Sequence, residues 1–259
     1  MPDIWLILEI VLVGYIVWDG MHAVLRYREL KRGIANGEAD ARPRMYQEIL
    51  VFEWLSTALA IGAVGFRWNM LTPRHLGLAD GVLARWLPSP DMLRGELSGM
   101  FAVLVVGIGV WVAWKLLRKD SGEAPAAAVS EGRALRGLPD FSALLPITVR
   151  ERWMFLAVAI SAGVCEELVF RGWLLSALHD QLGVNGVWLL VLAAAIFGLA
   201  HAYQGVVGVL LTGYLGAVFC VVYVATGSLL VPMILHVIID ARLALLPATS
   251  ARKRPLVPA

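Results

Sequence analysis

Charge is scarce in this chain. Of its 259 residues 16% are Asp, Glu, Lys or Arg, against about 25% in an ordinary soluble domain. The basic residues fall in short segments and form no continuous stripe, which excludes the nucleic-acid-binding class. There are two cysteines, Cys165 and Cys220. Both lie in apolar stretches without metal-ligand spacing, so no disulfide framework is implied. The opening Met1-Pro-Asp-Ile-Trp lacks a basic region and a cleavage site, and reads as the start of a membrane helix and not as a removed signal peptide. Internal repeats are absent.

What the chain has in quantity is apolar residues, at 59%, with ten tryptophans and 25 glycines; Trp and Gly are both enriched in polytopic membrane proteins. A spanning helix needs about 20 predominantly apolar residues. Seven segments are candidates: 4–25, 49–66, 95–117, 153–178, 186–202, 206–225 and 229–247. The expected fold is an all-α, polytopic transmembrane helix bundle of about seven spans, within a range of six to eight. Lys and Arg are richest in 26–48, 115–152 and the tail, and poorer in the loop 67–94. The positive-inside rule then puts the N-terminus outside and the C-terminus in the cytoplasm. Residues 120–137 are small, polar and rich in Ala and Gly, the composition of a flexible linker. They divide a three-span region (1–119) from a four-span core (138–247), with a basic tail at 248–259. Residues 138–150 are expected to lie at the membrane interface.

Against this background a few ionisable groups stand out. Glu166, Glu167 and Arg171 lie on the fourth segment, His201 closes the fifth, and His236 and Asp240 lie on the seventh. Intramembrane ionisable residues are functional candidates by default, because a charge in hydrocarbon costs several kcal/mol. Glu167 and Arg171 are four apart, share a helix face and can pair. Glu166 is rotated about 100° from Glu167, so it is left available. His236 and Asp240 share a face in the same way. The small residues of 193–200 allow a neighbouring helix to come close to His201. His179 and Asp180, next to Gly183, are expected in a loop. A carboxylate and two histidines converging in a cavity form a constellation that activates water.

Glu-Glu-x-x-x-Arg at 166–171, Phe-x-x-x-His at 197–201 and His-x-x-x-Asp at 236–240 resemble the three motifs of the CAAX-protease and bacteriocin-processing family of intramembrane proteases, often called CPBP or Abi. The resemblance covers roughly 138–245; the first three segments match no motif. It implies hydrolysis of a peptide bond near or within the membrane. Glu166 would be general base for the attacking water, and His201 would hold or polarise that water. His236 and Asp240 would stabilise the oxyanion, and Glu167 and Arg171 would brace the site. The implied partners are the membrane and a peptide or protein with a lipidated or hydrophobic C-terminal segment. The implied location is the bacterial inner membrane.

Asp240 stands where some relatives carry Asn. An ionised aspartate cannot donate to an oxyanion, so Asp240 is either protonated or orients His236 from behind. A third possibility is zinc held by Glu166, His201, His236 and Asp240, all acceptable ligands. The preferred reading uses no cofactor, since no His-Glu-x-x-His helix is present and a carboxylate–histidine site activates water by itself. Two non-protease readings remain: an immunity factor or scaffold that retains these residues, and a proton-coupled transporter relaying through Glu166 and His236. The missing repeat and low span number speak against transport.

Overall fold

The computed structural model describes residues 4–68 and 141–245, all of them helix, turn or connection with no strand among them. The third candidate segment (95–117), the loop 67–94 beyond Trp68, the linker 120–137 and the tail 248–259 lie outside the described residues. The chain is an all-α membrane protein. Its elements are α1 (Ile4–Ala35), α2 (Ala41–Trp68), a 3-10 turn (Ser142–Leu144), α3 (Val149–Glu167), a π-helical stretch (Leu168–Leu174), α4 (Leu175–Leu182), α5 (Gly186–Ala200), a second 3-10 turn (Ala202–Gln204), α6 (Gly205–Thr226) and α7 (Leu230–Ala244).

Three helical stretches among the described residues are long and apolar enough to cross a membrane: Glu9–Ala35, Val149–Asp180 and Ala202–Thr226. The expected count of seven is not carried. At 15 residues each, α5 and α7 extend about 22 Å, short of the roughly 30 Å hydrocarbon core. His201 leaves the helical conformation at φ −99°, ψ 24° and ends α5. Gly227, at φ +69°, ends α6 in the left-handed region and delays the start of α7.

Three segments expected as loops are helical, Ala41 to Glu48 among them as the start of α2. Arg26 to Ala35 continue α1, because this run is rich in good helix formers and meets no stop before Gly37 at φ +79°. Arg26 there pairs with Asp19. His179 and Asp180 belong to α4, and the stop comes at Gly183 (φ +64°), whose N–H donates to His179 O. At the start of α3, Thr148 and Glu151 form a reciprocal capping box. The connection before it is tied to α2 by the Tyr46 hydroxyl, which donates to Leu144 O at 2.6 Å.

The helices bury two apolar clusters, a smaller one around Tyr27, Tyr46 and Phe155 and a larger one beside the ionisable groups. Leu12 of α1 and Ala60 of α2 join Val169, Phe170 and Trp173 of the π stretch, Phe197 of α5 and Cys220 of α6. Large apolar side chains such as Trp188, Leu210 and Ile238 face outward, the arrangement expected of helices solvated by lipid. Such helices associate through close packing at small residues. Gly163 of α3 and Gly198 of α5 are the points of approach. A Cβ on Gly163 would lie 2.9 Å from Val237 N of α7, and one on Gly198 2.6 Å from Val209 O of α6. These two contacts set the helices that carry the ionisable groups side by side.

Candidate active site

Glu166 and Glu167 are the last residues of α3, and the helix then widens into the π stretch that carries Arg171. Isolated π turns are rare and collect at functional sites. The expected pair forms: Arg171 Nη1 donates to Glu167 Oε1 at 2.9 Å, with both side chains almost fully buried. Arg171 Nη2 donates to Gly216 O of α6 at 3.1 Å. Its guanidinium carbon lies 4.4 Å from the centre of the Phe197 ring, a cation–π contact. One arginine thus ties α3, α5 and α6 together.

The same Glu167 Oε1 lies 2.9 Å from His236 Nδ1 of α7. With the carboxylate as acceptor, Nδ1–H is the donor and Nε2 is turned to the other side of the ring. His201 is oriented in the same sense, since its Nδ1 donates to Phe197 O at 2.9 Å. Both Nε2 atoms converge on Glu166: its Oε2 is 3.9 Å from His201 Nε2 and 3.8 Å from His236 Nε2. That oxygen is buried and has no hydrogen-bond partner. Asp240 Oδ2 is 3.5 Å from His236 Nε2 and its side chain is 34% exposed. The group behind His236, at Nδ1, is therefore Glu167 and not Asp240. All six residues singled out in the sequence meet in one cluster.

Residues 148–242 match the family described as type II CAAX prenyl endopeptidase Rce1-like. This segment is a domain of that family. No curated protein and no solved structure matches the chain.

The Rce1-like domain does not enclose its site alone. A cavity of about 100 Å³ opens beside Glu166 and His201, and α1 and α2 supply much of its wall, including Ile16, Asp19, Arg26, Phe52 and Glu53. Glu53 is the residue that motif reading misses. It lies outside the matched segment, is 4% exposed, and its Oε2 is buried without a hydrogen-bond partner. The signal was present in Val51-Phe52-Glu53-Trp54-Leu55, a lone carboxylate in an apolar run, to which the intramembrane default applies as it does to Glu166. Asp19 in the first segment is a second such case.

The donor atoms of this site stand somewhat wider apart than the ligands of a tetrahedral zinc ion. Tetrahedral bonds of about 2.0–2.1 Å put neighbouring ligand atoms about 3.4 Å apart. Glu166 Oε2 stands 3.8 and 3.9 Å from the two imidazole nitrogens, and Asp240 occupies the side of His236 Nε2. Among the described residues no three His, Cys, Asp or Glu are grouped to hold a metal ion.

Proposed function

We propose that this protein is an intramembrane endopeptidase that cleaves peptide bonds close to the membrane by a glutamate-activated water. The observation that carries the reading is the convergence of both imidazole Nε2 atoms on the unpartnered Oε2 of Glu166. With Nδ1 donating to Phe197 O, neutral His201 has an acceptor at Nε2. A water between the two groups gives one hydrogen to Glu166 and points the other at His201. Its oxygen attacks the carbonyl carbon as Glu166 takes the proton. His236, held at Nδ1 by Glu167, donates from Nε2 to the developing oxyanion in its imidazolium form, beside Asp240. As the C–N bond breaks, Glu166 returns the proton to the leaving nitrogen, which restores the carboxylate. No step passes through a metal.

The substrate class that fits is a CAAX-type peptide or another protein with a lipidated or hydrophobic C-terminal segment, reached from within the membrane. The bacterial inner membrane, with the C-terminus in the cytoplasm, is the proposed location. Glu166→Gln in purified protein tests the assignment. It removes the base with little change of shape, and turnover of a panel of prenylated and hydrophobic peptides should fall to background while the protein still folds. Wild-type rates in both Glu166→Gln and His201→Ala would overturn the glutamate-activated water, and no turnover by the wild type would leave a non-enzymatic scaffold as the better reading.

A further inference from the structure

We propose that Glu53 is a substrate-positioning residue of this site, its Oε2 accepting a hydrogen bond from a backbone N–H of the peptide lying in the cavity beside Glu166. The inference rests on the endopeptidase reading and extends it to a helix outside the Rce1-like domain. Glu53 is 4% exposed, and its Oε2 has no hydrogen-bond partner. Folded proteins pair almost all buried acceptors, because an unmade hydrogen bond leaves the desolvation uncompensated. Of the donors lining the same cavity, Arg26 is paired with Asp19, the Ser56 hydroxyl donates to Glu53 O and His201 Nδ1 donates to Phe197 O, and none is bonded to Glu53 Oε2. A donor on the cavity's occupant would complete it.

The wall narrows the chemistry of that occupant. Apolar Ile16, Phe52, Val169 and Phe170 suit aliphatic side chains, and the Arg26 guanidinium on the same wall is already paired with Asp19. An extended peptide running past Glu166 offers both a hydrogen-bond donor and apolar side chains. It presents one backbone N–H per residue at a spacing of about 3.5 Å, and directs its side chains to the apolar surface. A neutral amide donor and apolar side chains are what this cavity can satisfy.

The test compares Glu53→Leu, which removes the acceptor, with Glu53→Gln, which keeps an acceptor oxygen. The substrate is a peptide ending in a prenylated Cys and three further residues, with the protein in lipid nanodiscs. Glu53→Leu should raise KM about tenfold to a hundredfold and leave kcat nearly unchanged, the signature of a contact made equally in ground and transition states. Glu53→Gln should stay within about threefold of wild type on the same grounds. A merely structural role would lower folded yield and leave KM of the folded fraction alone. An unchanged KM in Glu53→Leu, or an equal loss in Glu53→Gln, overturns the proposal.

Binding of a fluorescent form of the same peptide separates this inference from the reading beneath it. It is measured on Glu166→Gln protein with and without Glu53→Leu. If wild type never cleaves but binding weakens with Glu53→Leu, the endopeptidase reading falls and the positioning role stands. If cleavage depends on Glu166 and binding ignores Glu53, the positioning role falls alone. Peptide that binds neither protein overturns it as well.

Discussion

His236 Nδ1 and Arg171 Nη1 meet on a single oxygen, Glu167 Oε1, each at 2.9 Å. Two residues 69 apart in the chain, Glu167 and His236, are joined directly by this contact. Glu167 thereby does for His236 what a buried carboxylate does for any working imidazole: it fixes the ring and its tautomer. Arg171 in turn supplies the charge that lets Glu167 stay buried. The bracing pair and the working histidine form one chain of contacts across α3 and α7.

Removing Arg171 should damage folding first. Arg171→Ala strands Glu167 as an unpaired buried carboxylate, a loss of about 3–5 kcal/mol. Folded yield in detergent and Tm should both fall. Arg171→Lys should recover only part, because an ammonium cannot reach Glu167 and Gly216 O in the fixed geometry of a guanidinium. An Arg171→Ala protein that accumulates and melts like wild type, yet is inactive, would show that Arg171 acts on the substrate.

Asp240 separates an oxyanion-side role from a metal-ligand role. Loss of one stabilising donor typically costs about 10²–10³ in kcat, so Asp240→Ala should fall in that range if Asp240 is protonated and shares the oxyanion with His236. Asp240→Asn keeps a polar group capable of donation and should remain within about tenfold on the same scale. Wild-type turnover should survive exhaustive chelation, with elemental analysis finding no stoichiometric metal. Loss on chelation with recovery on added zinc would reverse the mechanism proposed for Glu166.

The α3–α7 contact at Gly163 should be intolerant of a single methyl. A Cβ there meets Val237 Cγ2 at 2.4 Å and the α7 backbone at 2.9 Å (Val237 N) and 3.1 Å (Met233 O). Overpacking of this kind costs about 1–3 kcal/mol. Gly163→Ala should lower Tm and reduce kcat further in the folded fraction, because α7 carries His236. Adding Val237→Ala should restore part of the stability, as it removes the side-chain clash and leaves the backbone one. Gly14→Ala in α1 is the control: nothing lies within 4 Å of its Cβ position, and its Tm should hold or rise.

The motif residues were legible because two physical signals coincide in them. A charge inside an apolar run is costly and conspicuous, and a spacing of four puts two such groups on one helix face. Glu167 with Arg171, and His236 with Asp240, follow from that spacing, and the structure has both pairs within 4 Å. The helical ends were less legible. Arg26 to Ala35 were expected outside a helix because their charge reads as loop, although their helix propensity is high. The short α5 was expected to span because its composition is apolar throughout, but His201 ends it after 15 residues.

The sequence by itself determined that the chain is helical, that its long apolar runs suit a membrane, and which six polar residues are out of place there. These depend on composition and on the local periods of the helix, which every residue carries with it. Only the tertiary structure decided that Glu167, and not Asp240, lies behind His236, that Glu166 Oε2 faces both imidazoles, and that Glu53 of α2 lines the same cavity. Each of those depends on which helices approach at Gly163 and Gly198 and on the turn at which the π stretch widens the helix. Such rotations and approaches are set by packing between segments distant in the chain, and no local pattern records them.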